Sequence, residues 1–217
     1  MKMNILVRKA ISETMGVMLF VTSIVAYNPN GTFHNLVLAS TLALMILITA
    51  TVSGGHLNPA VSLFMFARKS IDLTTLLAYW IAQLVGATLG LYLGYALSGA
   101  SIIAQAPVSG VSQSGAFIGE VLGTTVLILL IVRLAATKRE ALIPFAVGLW
   151  VLSISTFTLT GGQANPAVTF ALMIRDGFDQ NHLMLVLAEF VGALVALLYV
   201  VLLDSEIKAK KKSAKKK

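Results

Sequence analysis

Six long apolar stretches alternate with short polar segments along the chain. In order, they cover about residues 10–27, 35–53, 73–97, 115–135, 141–160 and 182–203. Each is close to the ~20 residues that a helix needs to cross a bilayer. Two further apolar pieces, 58–68 and 165–175, are too short to cross, and each lies shortly after a Gly-Gly pair. The pattern predicts an all-α membrane protein with six transmembrane helices and two half-length helices.

The amino-acid composition agrees with this pattern. Hydrophobic residues make up 57% of the chain and charged residues 12%, against about 25% charged residues in a typical soluble protein. Because six spans use almost the whole sequence, residues 1–217 are predicted to form a single membrane domain, and we expect no enzyme. The chain has no cysteine and lacks the His-and-carboxylate pattern of a metal site, so no disulfide, metal or other cofactor is expected.

The net charge of +7 is explained by the positions of the basic residues. An even number of spans puts both termini on one side, and of the 16 lysines and arginines only Arg175 falls on the other side. The positive-inside rule therefore predicts cytoplasmic N- and C-termini in a plasma membrane or bacterial inner membrane. For the lysine-rich tail, 204–217, we expect contact with anionic lipid of the cytoplasmic leaflet rather than with nucleic acid.

The chain repeats itself at an offset of 107 residues. The offset aligns SGGHLNPAVS at 53–62 with TGGQANPAVT at 160–169, and it places Glu13 on Glu120. Two repeats, about 8–97 and 115–203, are predicted, each with three spans. An odd number of spans forces the repeats into opposite orientations, the inverted topology that is common in transport proteins.

Each repeat begins its short apolar piece with the same tripeptide: Asn58, Pro59 and Ala60 in the first, and Asn165, Pro166 and Ala167 in the second. Asparagine is a strong helix N-cap and proline is favoured at the first helical position, so each tripeptide predicts an abrupt helix start. Inversion brings the two helix N-termini together near the membrane midplane. Their positive ends and the asparagine amides then favour neutral solutes, repel cations and interrupt proton hopping.

Together these motifs resemble the aquaporin, or major intrinsic protein, family. The paired Asn-Pro-Ala tripeptides, the Ser-Gly-Gly-His-x-Asn-Pro-Ala-Val run and the Glu-x-x-Gly at the start of spans one and four carry the resemblance, which covers essentially the whole chain. It implies a right-handed bundle of six helices plus two re-entrant half-helices, a pore in each subunit, and a homotetramer. The short loops are similar to those of bacterial water channels, and Thr169 stands where glyceroporins have an aspartate.

One position departs from the family pattern. Most members have an arginine directly after the second Asn-Pro-Ala, where this chain has Val168. Carried over by spacing, the family's four outer-filter positions fall here on Leu38, Ser153, Gly162 and Val168, none of them aromatic or charged. The resemblance therefore implies a passive channel for water with a wide, mostly apolar filter, which we expect to pass glycerol, urea or ammonia as well.

Three further residues are candidates for the pore wall. His56 and Gln163 each lie two residues before an asparagine of the tripeptides and are predicted to line the pore, with a purely structural role also open for His56. His34 lies one helical turn before Leu38. It is predicted either for the outer vestibule, as a titratable cation barrier, or for a loop at the level of the lipid headgroups.

Three acidic residues fall inside predicted spans. Glu13 and Glu120 each precede their asparagine by 45 residues. They are expected to accept hydrogen bonds from the loops that lead into the half-helices, as matching glutamates of the family do, rather than to relay protons. For Glu189, which corresponds to Gln83 of the first half, helix packing and a buried hydrogen bond both stay open.

A secondary transporter is the alternative interpretation, because inverted repeats with broken helices also build transporters. Transporters usually carry a charged or ion-coordinating group at the break, whereas both breaks here are Asn-Pro-Ala with neutral flanks. The sequence therefore favours a passive channel.

Overall fold

A computed structural model describes residues 3–26, 33–99 and 113–214, with side chains as far as residue 203. These ranges form eight α-helices: α1 (Ile5–Ala26), α2 (His34–Ser53), α3 (Pro59–Ala67), α4 (Leu73–Ser98), α5 (Gln113–Ala136), α6 (Ile143–Phe157), α7 (Pro166–Asp176) and α8 (Gln180–Ala214). A 3-10 helix, Glu140–Leu142, precedes α6, and no strand occurs in the described ranges. Six helices are long and apolar enough to cross a membrane. The predicted all-α class with six spans is confirmed.

The fifth predicted span, 141–160, differs in length from the helix in the structure. It starts as the 3-10 helix, and α6 ends at Phe157 because Thr158 adopts an extended backbone (φ −103°, ψ 151°). The first predicted span reached Tyr27, which lies outside the described residues. Helix α1 begins five residues before its predicted start, and α8 continues eleven residues past its predicted end to Ala214. The remaining helices agree with the prediction to within about one turn.

The helices pack as two equivalent halves, α1–α4 and α5–α8. Helix α1 packs on α2 and α4, and α5 packs correspondingly on α6 and α8. Helices α2 and α6 contact each other between the halves, and each short helix, α3 or α7, lies against both α4 and α8. Since every pairing has its counterpart, the bundle has the architecture of an inverted repeat.

Close backbone contacts hold each half together. A Cβ atom added at Gly86 of α4 would lie 2.5 Å from the Thr14 carbonyl oxygen of α1. One added at Gly90 would lie 2.4 Å from the Met18 carbonyl oxygen. In the second half, one added at Gly192 of α8 would lie 2.7 Å from the Val121 carbonyl oxygen of α5. Small residues at these points let the helix backbones approach, as is common within membranes.

Replacing Gly90 with alanine is expected to destabilise the bundle, although alanine is the better helix former. The new methyl group would overlap the α1 backbone and force the helices apart, at about 1–3 kcal/mol for overpacking. Gly119→Ala is the matched control, because the nearest atom there is the Thr158 methyl carbon at 3.3 Å. Thermal unfolding in detergent should show a lower Tm for Gly90→Ala alone, and equal Tm values for the two variants would contradict this account.

Candidate functional site

A cavity of about 550 Å³ extends along the bundle. Its lining includes His34 at the start of α2, Leu172 on α7, Glu140 just before α6, and Asn58 and Asn165 at the starts of the two short helices. Among the described residues that line the cavity there is no arginine or lysine. The described lining is therefore free of lysine and arginine, and its basic side chains are the imidazoles of His34 and His56.

The cavity has an apolar wall and a polar wall. The long helices supply the apolar wall from positions four residues apart: Leu38, Leu42 and Ile46 of α2, and Val147 and Val151 of α6. The polar wall comes from the two irregular loops that lead into α3 and α7, with His56 and Gln163 among their cavity-lining residues. The cavity therefore has hydrophobic side chains along its helices and polar groups along its loops.

Both loops follow the same backbone path. The Gly-Gly pairs 54–55 and 161–162 have positive φ angles of 91° and 61°, and of 74° and 62°. Glycine adopts this left-handed region at no steric cost, which explains why each half carries the pair. Leu57 (φ 50°) and Ala164 (φ 47°) adopt the same region. Sequence reasoning missed these two residues, because neither leucine nor alanine favours a positive φ.

The two asparagines meet where the loops end. Each caps its own half-helix, since Asn58 Oδ1 accepts from Ala60 N at 2.8 Å and Asn165 Oδ1 accepts from Ala167 N at 3.0 Å. Their amide nitrogens cross between the halves. Asn58 Nδ2 donates to the carbonyl oxygen of Ala164 at 2.7 Å, and Asn165 Nδ2 donates to that of Leu57 at 2.9 Å. The N-termini of α3 and α7 are thus joined at one point of the cavity.

Glu13, buried in α1, holds the first loop. Its Oε1 accepts from the Ser53 hydroxyl at 2.6 Å and from His56 N at 3.0 Å. Its Oε2 accepts from Leu57 N at 2.6 Å and from Gln83 Nε2 at 2.8 Å. Four donors converge on one carboxylate, and two of them are backbone groups of the loop.

Glu120 of α5 does the same for the second loop. Its Oε1 accepts from the Thr160 hydroxyl and from Gln163 N at 3.0 Å, and its Oε2 accepts from Ala164 N at 2.6 Å. These three donors correspond to three of the four donors of Glu13, shifted by the repeat offset. The fourth donor of Glu13, Gln83, has no counterpart among the described residues that donates to Glu120. Its position is taken by Glu189, which accepts from Asn165 N at 3.0 Å.

Three of the four predicted filter residues lie on the cavity. Leu38, Gly162 and Val168 line it, but Ser153 does not. Ser153 is exposed on the outer face of α6, and Val151 and Ser155 occupy the cavity face instead.

The prediction for Ser153 was wrong because it relied on spacing along the chain, and α6 does not approach its loop as α2 does. Helix α2 runs to the residue before Gly54, whereas α6 ends at Phe157, and three residues separate it from Gly161. Thr158 is extended and residues 159–160 form a turn, so the loop does not continue α6 as it continues α2, and spacing along the chain does not give the cavity face of α6. Sequence alone does not show where a helix of this kind stops.

Arg175 does not replace the missing filter arginine. It is absent from the cavity lining, and its guanidinium contacts Asp176 through two hydrogen bonds of 2.6 and 2.7 Å. His34 does line the cavity, at the first residue of α2. Within the described ranges, the end of the cavity beyond Val168 therefore carries an imidazole and no guanidinium.

Six spans, two half-helices that meet at paired Asn-Pro-Ala tripeptides, and a cavity along their contact define a membrane pore built from inverted repeats. The sequence model of the family described as "Major intrinsic protein" matches residues 1–199 and 140–216. The chain belongs to the major intrinsic protein family.

Individual relatives agree with this assignment. A rice protein (Oryza sativa subsp. japonica) named "Probable aquaporin TIP1-2" is 34% identical over 172 residues, which are 74% of this chain and 68% of the relative. An aquaglyceroporin of Toxoplasma gondii is 32% identical over 172 residues, 74% of this chain and 64% of the relative. The X-ray structure of the Plasmodium falciparum aquaglyceroporin has a TM-score of 0.75 at 24% identity, covering 89% of this chain and 95% of that one. This last likeness concerns the fold.

Members of this family are channels and not enzymes, so the chain is a passive multi-pass membrane channel for water and small solutes. The predicted class of protein is confirmed, and the family favours it over the secondary transporter.

Proposed function

We propose that this channel passes small uncharged solutes such as glycerol, urea or ammonia together with water, through an outer filter without arginine. The observation that carries the proposal is Val168, which directly follows the second Asn-Pro-Ala and lines the cavity with Leu38 and Gly162. Among the described residues, these three filter positions carry neither a ring nor a guanidinium. Pore diameter and the polarity of the lining decide which solutes such a channel admits.

We propose further that the midplane excludes protons and cations. Each asparagine amide carries two hydrogens, and the second hydrogen of each is available to a passing solute oxygen, since one is used between the halves. The N-termini of α3 and α7 add about half a positive charge each. Both effects favour a neutral solute that accepts hydrogen bonds, and His56 and Gln163 are its proposed next contacts along the polar wall.

His34 is proposed as a group of the outer vestibule. Its place on the cavity wall, one turn from Leu38, supports this over a position in a surface loop. Protonation of its imidazole would add a positive charge above the filter and oppose the entry of cations.

Assembly and orientation are also proposals. We propose a homotetramer in the plasma or inner membrane with both termini in the cytoplasm, supported by family membership and by the placement of the basic residues. Large apolar side chains are exposed along α2, α4 and α8, as expected of surfaces that meet lipid or a second subunit. The lysine-rich tail, 204–217, would contact anionic lipid by charge attraction.

Val168→Arg tests the wide filter. An arginine there would extend into the outer filter beside Leu38 and Gly162 and narrow it. We expect glycerol and urea permeability to fall by more than about tenfold, while water permeability falls much less. Leu172→Arg is the matched control, because it adds the same charge one turn away on the cavity wall. The measurement is stopped-flow light scattering of proteoliposomes. The proposal is wrong if the wild-type protein passes water quickly but glycerol and urea no faster than empty liposomes.

A further inference from the structure

The second half of the channel contains a buried carboxyl group that forms no part of the cavity wall. Glu189 of α8 is 0% exposed. Its Oε1 accepts from Asn165 N at 3.0 Å and lies 2.6 Å from the hydroxyl oxygen of Thr169. Its Oε2 is buried and has no hydrogen-bond partner among the described residues. An ionised carboxylate with an unpaired oxygen is costly in such surroundings, whereas the neutral acid is not.

A second carboxyl group stands next to Glu189. Glu120 binds Ala164 N and Glu189 binds Asn165 N, so the two acids hold consecutive amides of one loop. They also interact electrostatically. Two adjacent buried carboxylates resist being ionised together, and one of them keeps a proton.

The other elements packed on α8 bring no compensating positive charge to this point. They are α3, α5 and α7. Helix α3 has no titratable residue. At the far end of α7, Arg175 binds Asp176, and three turns beyond Glu120 on α5, Arg133 lies over the ring of Tyr199. Glu120 is therefore the charged group that faces Glu189.

With the Gln163 amide oriented as it is, the hydrogen-bond pattern at Thr169 places the proton on Glu189. A hydroxyl has one hydrogen to donate. The Thr169 oxygen lies 2.6 Å from Glu189 Oε1 and 2.6 Å from Gln163 Oε1, with the Asn165 carbonyl oxygen farther away at 3.5 Å. Both short contacts are hydrogen bonds if protonated Glu189 donates to Thr169, and Thr169 donates to Gln163. With Glu189 ionised and Gln163 in this orientation, one of the two short contacts has no hydrogen.

The first half supplies a comparison without an acid. There Gln83 Nε2 donates to the Ser62 hydroxyl at 3.0 Å, and the Ser62 oxygen lies 3.1 Å from His56 Nδ1. The order is the same in both halves: a residue of the last long helix, a hydroxyl, and a residue of the cavity wall. Only the second half has a titratable group at the start of this chain of contacts.

We propose that Glu189 is a proton-binding site whose occupancy sets which end of the Gln163 amide faces the pore. With the proton bound, Thr169 donates to Gln163 Oε1, and the amide NH₂ is left to donate to solutes. When Glu189 releases the proton to water, Thr169 donates to the carboxylate instead. Gln163 then turns its NH₂ toward Thr169 and presents its oxygen to the pore. The proposal rests on the channel function and adds a regulation of the same pore.

Glu189→Gln tests the proposal, because glutamine removes the titratable group and can keep an NH₂ donor toward Thr169 at every pH, although this nitrogen no longer accepts from Asn165 N. Infrared spectra of the wild-type protein should contain the carbonyl stretching band of a protonated carboxylic acid, which Glu189→Gln lacks and which disappears at alkaline pH. Over the same pH range, wild-type water permeability should change by about fivefold, the effect of one hydrogen bond in the lumen. Permeability of Glu189→Gln should stay at the wild-type acidic value throughout.

Two further variants test whether the pH dependence of permeability runs from Glu189 through Thr169 to Gln163. Thr169→Val removes the connecting hydroxyl, so the infrared band should remain while permeability becomes independent of pH. His56→Gln removes the titratable group of the first half and should keep the pH-dependent change.

An unchanged infrared spectrum in Glu189→Gln, or a pH-dependent permeability that survives in it, would overturn the proposal. If Glu189→Gln fails to fold, the wild-type pH titration and Thr169→Val decide by the same criteria. The test measures only water permeability and the infrared band of Glu189. It therefore still applies if the channel turns out to exclude glycerol and urea.

Discussion

Glu13→Gln should unfold at a markedly lower temperature than the wild-type channel, although the side chain keeps its size. The carboxylate accepts from four donors, two on each oxygen. An amide presents NH₂ on one of these sides and leaves two buried donors without an acceptor. At ~1–3 kcal/mol for each lost partner, the free energy of unfolding falls by about 2–6 kcal/mol. This corresponds to a Tm lower by roughly 5–20 °C.

Glu140→Gln is the matched control for this substitution, because Glu140 is exposed at the start of the 3-10 helix. Thermal unfolding of both variants in the same detergent is the measurement, and limited proteolysis should show earlier cleavage in the loop between α2 and α3 of Glu13→Gln. If both variants unfold at the wild-type temperature, Glu13 does not hold this loop.

Asn165→Asp should keep the fold and lose selectivity. The aspartate still caps α7 by accepting from Ala167 N, and its charge is favourable at a helix N-terminus. It cannot donate to the Leu57 carbonyl oxygen, as Asn165 Nδ2 does at 2.9 Å, nor to a solute. We expect water permeability per channel to fall by about fivefold to tenfold, equivalent to one lost hydrogen bond. A cation current absent from the wild type should appear, because the carboxylate reverses the local charge.

Planar-bilayer recordings and stopped-flow measurements on the same preparation test this expectation. Asn181→Asp makes the same chemical change at the start of α8, away from the residues that line the cavity, and should match the wild type in both assays. Unchanged water flux without cation conductance in Asn165→Asp would show that the amide of Asn165 has no part in selection.

Most of the architecture could be predicted from the sequence, because the bilayer imposes simple requirements. A helix must be about 20 apolar residues long to cross, and the six long helices follow that pattern. The 107-residue repeat relates the two halves, and Asn-Pro marks the start of each short helix through capping and the fixed φ of proline. These signals depend on residue type and on spacing along the chain. They can therefore be recognised without knowing how the helices pack.

The site could be predicted only in part. Glu13 and Glu120 were recognised as a pair by their equal distance from the two asparagines, but their donors, such as Leu57 N, are unremarkable in sequence. Ser153 was misplaced because spacing along the chain does not give the cavity face of α6. Glu189 contacts Thr169, which contacts Gln163, and these two residues lie 20 and 26 positions before Glu189 in the chain. The residue types do not predict these contacts.

By itself, the sequence determined the number and length of the spans, the inverted repeat, the two helix starts and the absence of an arginine after the second tripeptide. Each of these depends on residue type and spacing along one chain, through hydrophobic length and backbone preference. The tertiary structure decided which side chains share the cavity, how each asparagine amide bonds to the opposite loop, and that a buried acid stands behind Gln163. These depend on where the helices end and how closely they pack, which is set by contacts among residues that are distant in the chain.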